Sequence, residues 1–206
     1  MQRAGLWWPA MPRRPAGSPS LHLDEIVEAA ARVCDRQGYD KLTLSAVASE
    51  LNIKSPSLYN HVDSLDALRT RLAELAYRQL TQKCALATAG RSGRAAVLAM
   101  AHELRRFAKA RPGLYAASVS LPDAPDEALL TQMDSMMQLT VSLFAGYRLN
   151  AKNVIHAVRG LRSLIHGFIA IETVGAFRLN VDITESYTRS IECFLEGLKN
   201  RKTSVR

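Results

Sequence analysis

Cysteine is scarce in these 206 residues: Cys34, Cys84 and Cys193 lie far apart, with no CxxC spacing. That excludes a disulfide framework and a cysteine-based zinc site. Each falls in a helical apolar pattern, so the expectation is three buried, reduced thiols, with redox sensing as the other reading. Long hydrophobic runs are missing too. No unbroken apolar stretch approaches the ~18 residues that mark a membrane span, so no membrane partner is expected. The opening MQRAGLWWPAMPRRPAGSPS has one short apolar patch, cut by Pro9 and followed by Arg13, Arg14 and more prolines. It lacks the apolar centre of a signal peptide. Pro9, Pro12, Pro15 and Pro19 oppose helix, so residues 1–20 read as a disordered arm, with Met11 as a second candidate start. Strand-like alternation of useful length is absent, as are internal repeats. There is no phosphate-cradling glycine loop, no HExxH and no nucleophile elbow. His102 and His166 stand singly, without a partner at i+4. Neither an enzyme nor a metal or cofactor site is expected.

Charge is unevenly spread. The formal net charge is +8, which favours a polyanionic partner in general terms. Residues 1–80 hold ten Lys/Arg and nine Asp/Glu, a net of only +1. A DNA contact near the N-terminus would therefore depend on a few placed cations rather than on bulk charge. The cluster Arg91, Arg94, Arg105, Arg106, Lys109 and Arg111 reads as a solvated face, or as an attractor for an anionic ligand.

Helical periodicity dominates the rest. Leu23, Ile26, Val27, Ala30, Val33 and Cys34 make one apolar face. Ser20 or His22 stands near its start, and Gly38 ends it. Thr43 reads as the N-cap of a short helix over 44–51. Asn52 follows where the chain must reverse, a residue tolerant of left-handed backbone. Ser55-Pro56 then opens a second short helix ending near Val62, with Ser as cap and Pro in the first turn. Asp63-Ser64 caps a longer helix on Leu65, Leu68, Leu72, Leu75 and Leu80. Further helices are expected over about 92–109, a short piece to Ser120, then to about Tyr147, 150–177 and 184–200. The fold class is all-α, with about nine helices.

Helix, tight turn, short helix is the helix-turn-helix pattern. Val47, Ala48, Leu51, Ile53 and Leu58 suit the inward positions. The outward positions Lys54, Ser55, Ser57, Tyr59, Asn60 and His61 carry donors and acceptors that can reach phosphates and base edges. The other reading is a solvated helix of an ordinary helical protein.

The stretch LTLSAVASELNIKSPSLYNHVDSLDALRTRL resembles the DNA-binding domain of TetR-family transcriptional regulators over about residues 23–80. EIVEAAARVCDRQGYDKLTL stands where that family has its first helix. SPSLYNHV lies on the side of the tetracycline repressor rather than the commoner LYYHF form. The resemblance implies an N-terminal three-helix helix-turn-helix domain over 21–66. A larger helical bundle over 67–202 would serve effector binding and dimerisation. It implies that Thr43 meets a phosphate and that Lys54, Ser55, Pro56 and Ser57 approach bases. Tyr59 and His61 would clamp the backbone, and Asn60 would face the groove, where Asn can read adenine by its two-pronged edge. Tyr59 has a second reading, packed against the first helix. One departure is plain: where the family usually carries a backbone-reaching Lys at the start of the fourth helix, this chain has Leu65, flanked by Asp63 and Asp66.

AVRGLRSLIHGFIAIETVGAF, followed by ITESYTRSIECFLEGL, is similar to the last two helices of a TetR-family ligand-binding subgroup. There they pair with their copies in a four-helix dimer interface. The resemblance implies a cytoplasmic, homodimeric repressor on palindromic double-stranded DNA, released by a small-molecule effector. Met100, Phe107, Tyr115, Met133, Met137 and His166 are candidate pocket residues, along with Met136, Phe144 and Phe168. Plain core is the other reading of each. An architectural or adaptor DNA-binding protein without an effector is the alternative function. It would have a filled core in place of a pocket.

Overall fold

The apolar spacing after Leu23 becomes α1 (Leu23–Gln37), which buries Ile26, Val27, Ala30, Val33 and Cys34. The computed structural model describes residues 21–200, so the expected arm and the alternative start lie outside the described residues. Gly38 ends α1 at φ 97, a conformation open to glycine, and its N–H donates to the Cys34 carbonyl. A 3-10 turn (Tyr39–Lys41) leads to α2 (Leu44–Glu50). Thr43 Oγ1 accepts from the Ala46 N–H at 3.1 Å, the expected cap. Asn52 is left-handed, at φ 55.

The second short helix, α3 (Ser55–Leu58), differs from expectation at both ends. Its cap position is Lys54, and no side chain caps it, so Pro56 with its fixed φ defines the start. It stops at Leu58, whose carbonyl accepts from both His61 and Val62 N–H groups at 2.9 Å. That shared acceptor turns residues 59–61 into a tight turn instead of more helix. Ser64 Oγ then accepts from Ala67 N–H and opens α4 (Leu65–Thr88).

Five helices complete the chain: α5 (Gly93–Ala110), α6 (Pro112–Val119), α7 (Glu127–Ser142), α8 (Ala151–Thr173) and α9 (Ile183–Asn200). Asp126 caps α7 and Asn150 caps α8 through their side-chain oxygens. Two helices end earlier than the periodicity predicts. α7 passes into a 3-10 turn (Ala145–Tyr147) and left-handed Arg148, and α8 stops before left-handed Gly175. Among the described residues there are nine α-helices and no strand.

α4 is the central element. It packs on α1, α5, α6 and α7, while α8 and α9 pack together and against α5. One continuous core runs from Ile26 and Leu58, through Leu72 and Leu104, to Ile165 and Tyr187. Cys34 and Cys84 are buried, and burial pushes their thiols up to about 11 and about 12. Cys193 is exposed, against expectation. The buried line of α9 is Tyr187, Ile191 and Leu195, and position 193 points away from it. α8 also needs a correction. An 18-residue window within it is apolar enough by length and composition to cross a membrane, although Arg159 and Arg162 interrupt the helix and 28% of that window is buried within the subunit.

The basic cluster is largely paired rather than free. Arg94 meets Glu192, Arg106 meets Glu103, and Arg111 meets Asp35 and Glu28. Arg105 is 9% exposed and grips Glu172 with two nitrogens at 2.6 and 2.7 Å, while Lys109 approaches the same carboxylate. This forked pair ties α5 to the end of α8, and Arg105 also reaches Thr184 on α9.

The hydrogen bonds from Arg105, which outweigh burial, hold the Glu172 carboxyl down at about 2. A depressed carboxylate stabilises the fold above its unfolded pKa, and that stability is lost as pH falls through the folded value. Acid titration of unfolding should therefore show a loss of roughly 2–3 kcal/mol between about pH 5 and pH 2. Glu172→Gln should be less stable than the parent at pH 7 and should lack that part of the acid slope.

Candidate nucleic-acid interface and internal cavity

The end of the molecule formed by α1, α2 and α3 presents a polar face that the chain itself does not use. Leu58 and Val62 are buried and anchor the α3 turn from within. Around them Lys54, Pro56, Ser57, Tyr59, Asn60 and His61 are exposed and Ser55 is half-buried. Among the described residues, none of these side chains makes a hydrogen bond or ion pair. Tyr59 is 59% exposed, so most of its surface is open rather than packed. Thr43 is exposed at the start of α2, where its hydroxyl caps the helix and meets Ser45 Oγ at 3.1 Å. A row of unengaged donors on one short turn can bond phosphates and groove edges.

This face is braced from behind. Glu50, at the end of α2, accepts from both Arg32 and Arg36 of α1. Burial opposes its charge, but the two guanidinium groups outweigh that and hold the carboxyl below its usual range. Leu65 is half-buried against the core and does not reach outward. Of the two acids beside it, Asp66 is partly neutralised by Arg69 at 3.1 Å. The start of α4 is thus less hostile to phosphate than the sequence implied.

α1 packs on α4 and α6, where Glu28 accepts from Gln79 and meets Arg111, and its most heavily bonded tie to the larger helical layer is Asp35. Asp35 Oδ1 accepts from the Gly113 and Leu114 N–H groups at 2.9 and 3.0 Å, and Oδ2 accepts from Arg111 Nε at 2.5 Å. The carboxylate therefore caps α6 from outside its own helix. The two backbones touch here: a Cβ on Gly113 would lie 2.1 Å from the Cys34 carbonyl carbon.

α6 leads directly to a cavity of about 150 Å³ walled by α4, α5, α6, α7 and α8. Met100, Met133, Met137 and His166 line it as expected, with Met136. Phe107 does not: it is 2% exposed in the core on another side of α5. Tyr115 stands behind the wall, its hydroxyl 2.5 Å from His166 Nδ1 with the rings stacked. Burial, reinforced by Arg162, pushes His166 down to about 4, so the imidazole is neutral. Phe144 packs on Tyr147, and Phe168 on Phe177 and Tyr187, and neither lines the cavity. Sequence reasoning missed Tyr77, Ser118, Asp134 and Arg162, which do line it. The available signal was the helical spacing of Val158, Arg162 and His166 on one face of α8.

Comparison with known proteins agrees with this architecture. Residues 26–72 match the family described as bacterial regulatory proteins, tetR family, and residues 97–194 match the tetracyclin repressor-like C-terminal domain. The uncharacterized HTH-type transcriptional regulator YobS of Bacillus subtilis (strain 168) is 38% identical over 184 residues, 88% of this chain and 95% of its own. The HTH-type transcriptional repressor DrrR1 of Streptomyces coeruleorubidus is 33% identical over 112 residues, 53% of this chain and 41% of its own. In fold, the chain is similar to a TetR variant of Acinetobacter baumannii AYE solved in complex with minocycline. The TM-score is 0.68 and the identity 17%, covering 89% of this chain and 99% of that one. The regulator match and the helix-turn-helix account for the exposed α3 face without any catalytic chemistry. The chain belongs to the TetR family of helix-turn-helix transcriptional regulators, which bind DNA and are not enzymes.

Proposed function

We propose that the protein is a cytoplasmic repressor that binds a palindromic operator as a homodimer and leaves it when a small molecule enters the cavity. The observation that carries this is the physical chain from cavity to DNA face: His166, Tyr115, α6, Asp35, α1. Residues 21–66 act as the DNA-binding unit and residues 67–202 as the effector-binding and dimerisation unit. The similarity to the repressor DrrR1 supports repression. An architectural protein without an effector would need no cavity, and the 150 Å³ space disfavours that alternative.

On DNA, the α3 turn enters the major groove. Lys54, Ser55, Pro56 and Ser57 approach bases, with Pro56 against a thymine methyl. Asn60 faces the groove, while Thr43, Tyr59 and His61 hold the phosphate backbone. With no cation at Leu65, the start of α4 offers phosphate only backbone N–H groups and the helix dipole. A two-fold dimer would place two such turns about one helical repeat apart.

The dimer forms through α8 and α9. The exposed side of α8 carries Ser163, Gly167 and Ala170, and that of α9 carries Cys193 and Gly197. Small side chains at helical spacing let two pairs of helices cross closely. A second copy would cover the apolar surface of α8 that its own subunit leaves open.

An effector that displaces His166 or Tyr115 would shift α6. Because Asp35 fastens α6 to α1, the shift reaches the DNA-binding unit and changes the separation of the two heads.

Four outcomes are expected. Selection from a random DNA pool at stated salt should yield a palindrome, whereas unenriched sequences would leave only a weak or architectural binder. Tyr59→Ala combined with Lys54→Ala should weaken operator binding at least tenfold, roughly 1–3 kcal/mol, with helicity and dimer mass unchanged. Sedimentation should give a mass near twice 22.7 kDa. Nothing within the subunit approaches a Cβ at Gly167. Gly167→Arg should therefore leave the subunit folded and halve the mass, and an unchanged mass would remove α8 from the interface.

A further inference from the structure

The cavity wall carries an exposed cation that makes no ion pair among the described residues. Arg162 of α8 lines it one turn before His166, and among the described residues no carboxylate lies within ion-pair distance of it. Arg94, Arg105, Arg106, Lys109 and Arg111 all have one. The partner of Arg162 is neutral: its guanidinium donates to the Tyr77 hydroxyl at 3.4 Å. Tyr77 is buried on α4, and its hydroxyl, accepting from Arg162, keeps its own proton to give. Donors from two helices thus converge on one point of the wall.

The remainder of the lining asks for an apolar body. Met100, Met133, Met136 and Met137 supply soft, adaptable surface. A space near 150 Å³ takes a group about the size of benzene. His166 is neutral and already bonded to Tyr115, so it adds no second charge. Asp134 also lines the cavity, on α7, and like Arg162 it is exposed and makes no ion pair among the described residues. No donor bonds to it among those residues, whereas Arg162 has the buried Tyr77 hydroxyl beside it. It offers a cationic headgroup as the competing choice.

We propose that the cavity selects a small apolar monocarboxylate, an aryl or short acyl acid, whose carboxylate pairs with Arg162 and the Tyr77 hydroxyl while its body lies among the methionines. A guanidinium forks onto a carboxylate through two parallel hydrogen bonds, and an amide or amine of the same shape cannot accept them in that way. This rests on reading the cavity as the effector site.

The test uses the full chain with carbon-13-labelled methionine methyl groups. Four of the six methionines line the cavity, and the other two, Met1 and Met11, lie outside the described residues. The probes are phenylacetate, phenylacetamide and 2-phenylethylamine, which share a ring and differ in headgroup. Phenylacetate should shift the four cavity methyls with at least tenfold higher affinity than either analogue. Arg162→Leu should weaken phenylacetate roughly tenfold to a hundredfold, the worth of a hydrogen-bonded charge, and leave phenylacetamide unchanged. Tyr77→Phe should weaken phenylacetate by a smaller factor, and Arg162→Lys should recover part of the loss. Equal or tighter binding of the amide or amine, indifference to Arg162→Leu, or no methyl shift with any probe would overturn the proposal. Operator binding by the same samples separates the two readings. A protein that binds its operator and ignores phenylacetate defeats the carboxylate assignment alone. One that binds phenylacetate and no DNA defeats the repressor reading alone.

Discussion

The contact between Asp35 and the start of α6 is the constraint on which the molecule's two ends depend. One carboxylate takes two backbone N–H groups and one guanidinium. A partly buried charge needs that many partners, since each one lost leaves desolvation uncompensated. Gly113 makes the contact geometrically available, because any side chain there would meet the α1 backbone. A crossing this close has little freedom to slide. Whatever moves α6 must carry α1 with it or break three hydrogen bonds.

The same helix meets the cavity from its other side. Tyr115 reaches His166, and Ser118 lines the wall. α6 is only eight residues long, so its cap and its cavity-facing groups are about two turns apart. A rigid body of that size can relay a displacement without bending. The Arg105–Glu172 pair provides the opposite boundary by holding α5, α8 and α9 together at the far end. Between them lies the cavity lined by Met100, Met133, Met136 and Met137, side chains that repack readily.

Charge follows a consistent division of labour. Acids and bases in the helical layer pair with each other, as at Asp35, Glu50 and Glu172. The α3 turn and Arg162 are among the places where polar and charged side chains make no ion pair among the described residues. Most cations serve architecture, and recognition is left to a few.

Much of this was legible in the amino-acid sequence by itself. The 3.6-residue spacing, the caps at Thr43 and Ser64, the left-handed Asn52 and the two short helices are local properties. Each depends on neighbours within about four residues. The resemblance over residues 23–80 supplied the family, and Met100, Met133, Met137 and His166 do line the cavity. Tertiary structure alone decided the rest. Asp35 and Arg111 are distant in sequence, and no local pattern announces their pairing. Phe107 and Tyr115 have the same composition signal as Met100, yet the rotation of each helix turned them to core and to second rank. Cys193 followed an apolar pattern but landed on the open side of α9. The early stops of α3, α7 and α8 came from backbone that closes on itself, at the shared Leu58 carbonyl and at left-handed Arg148 and Gly175. Periodicity specifies which side chains share a face, and only packing decides what that face meets.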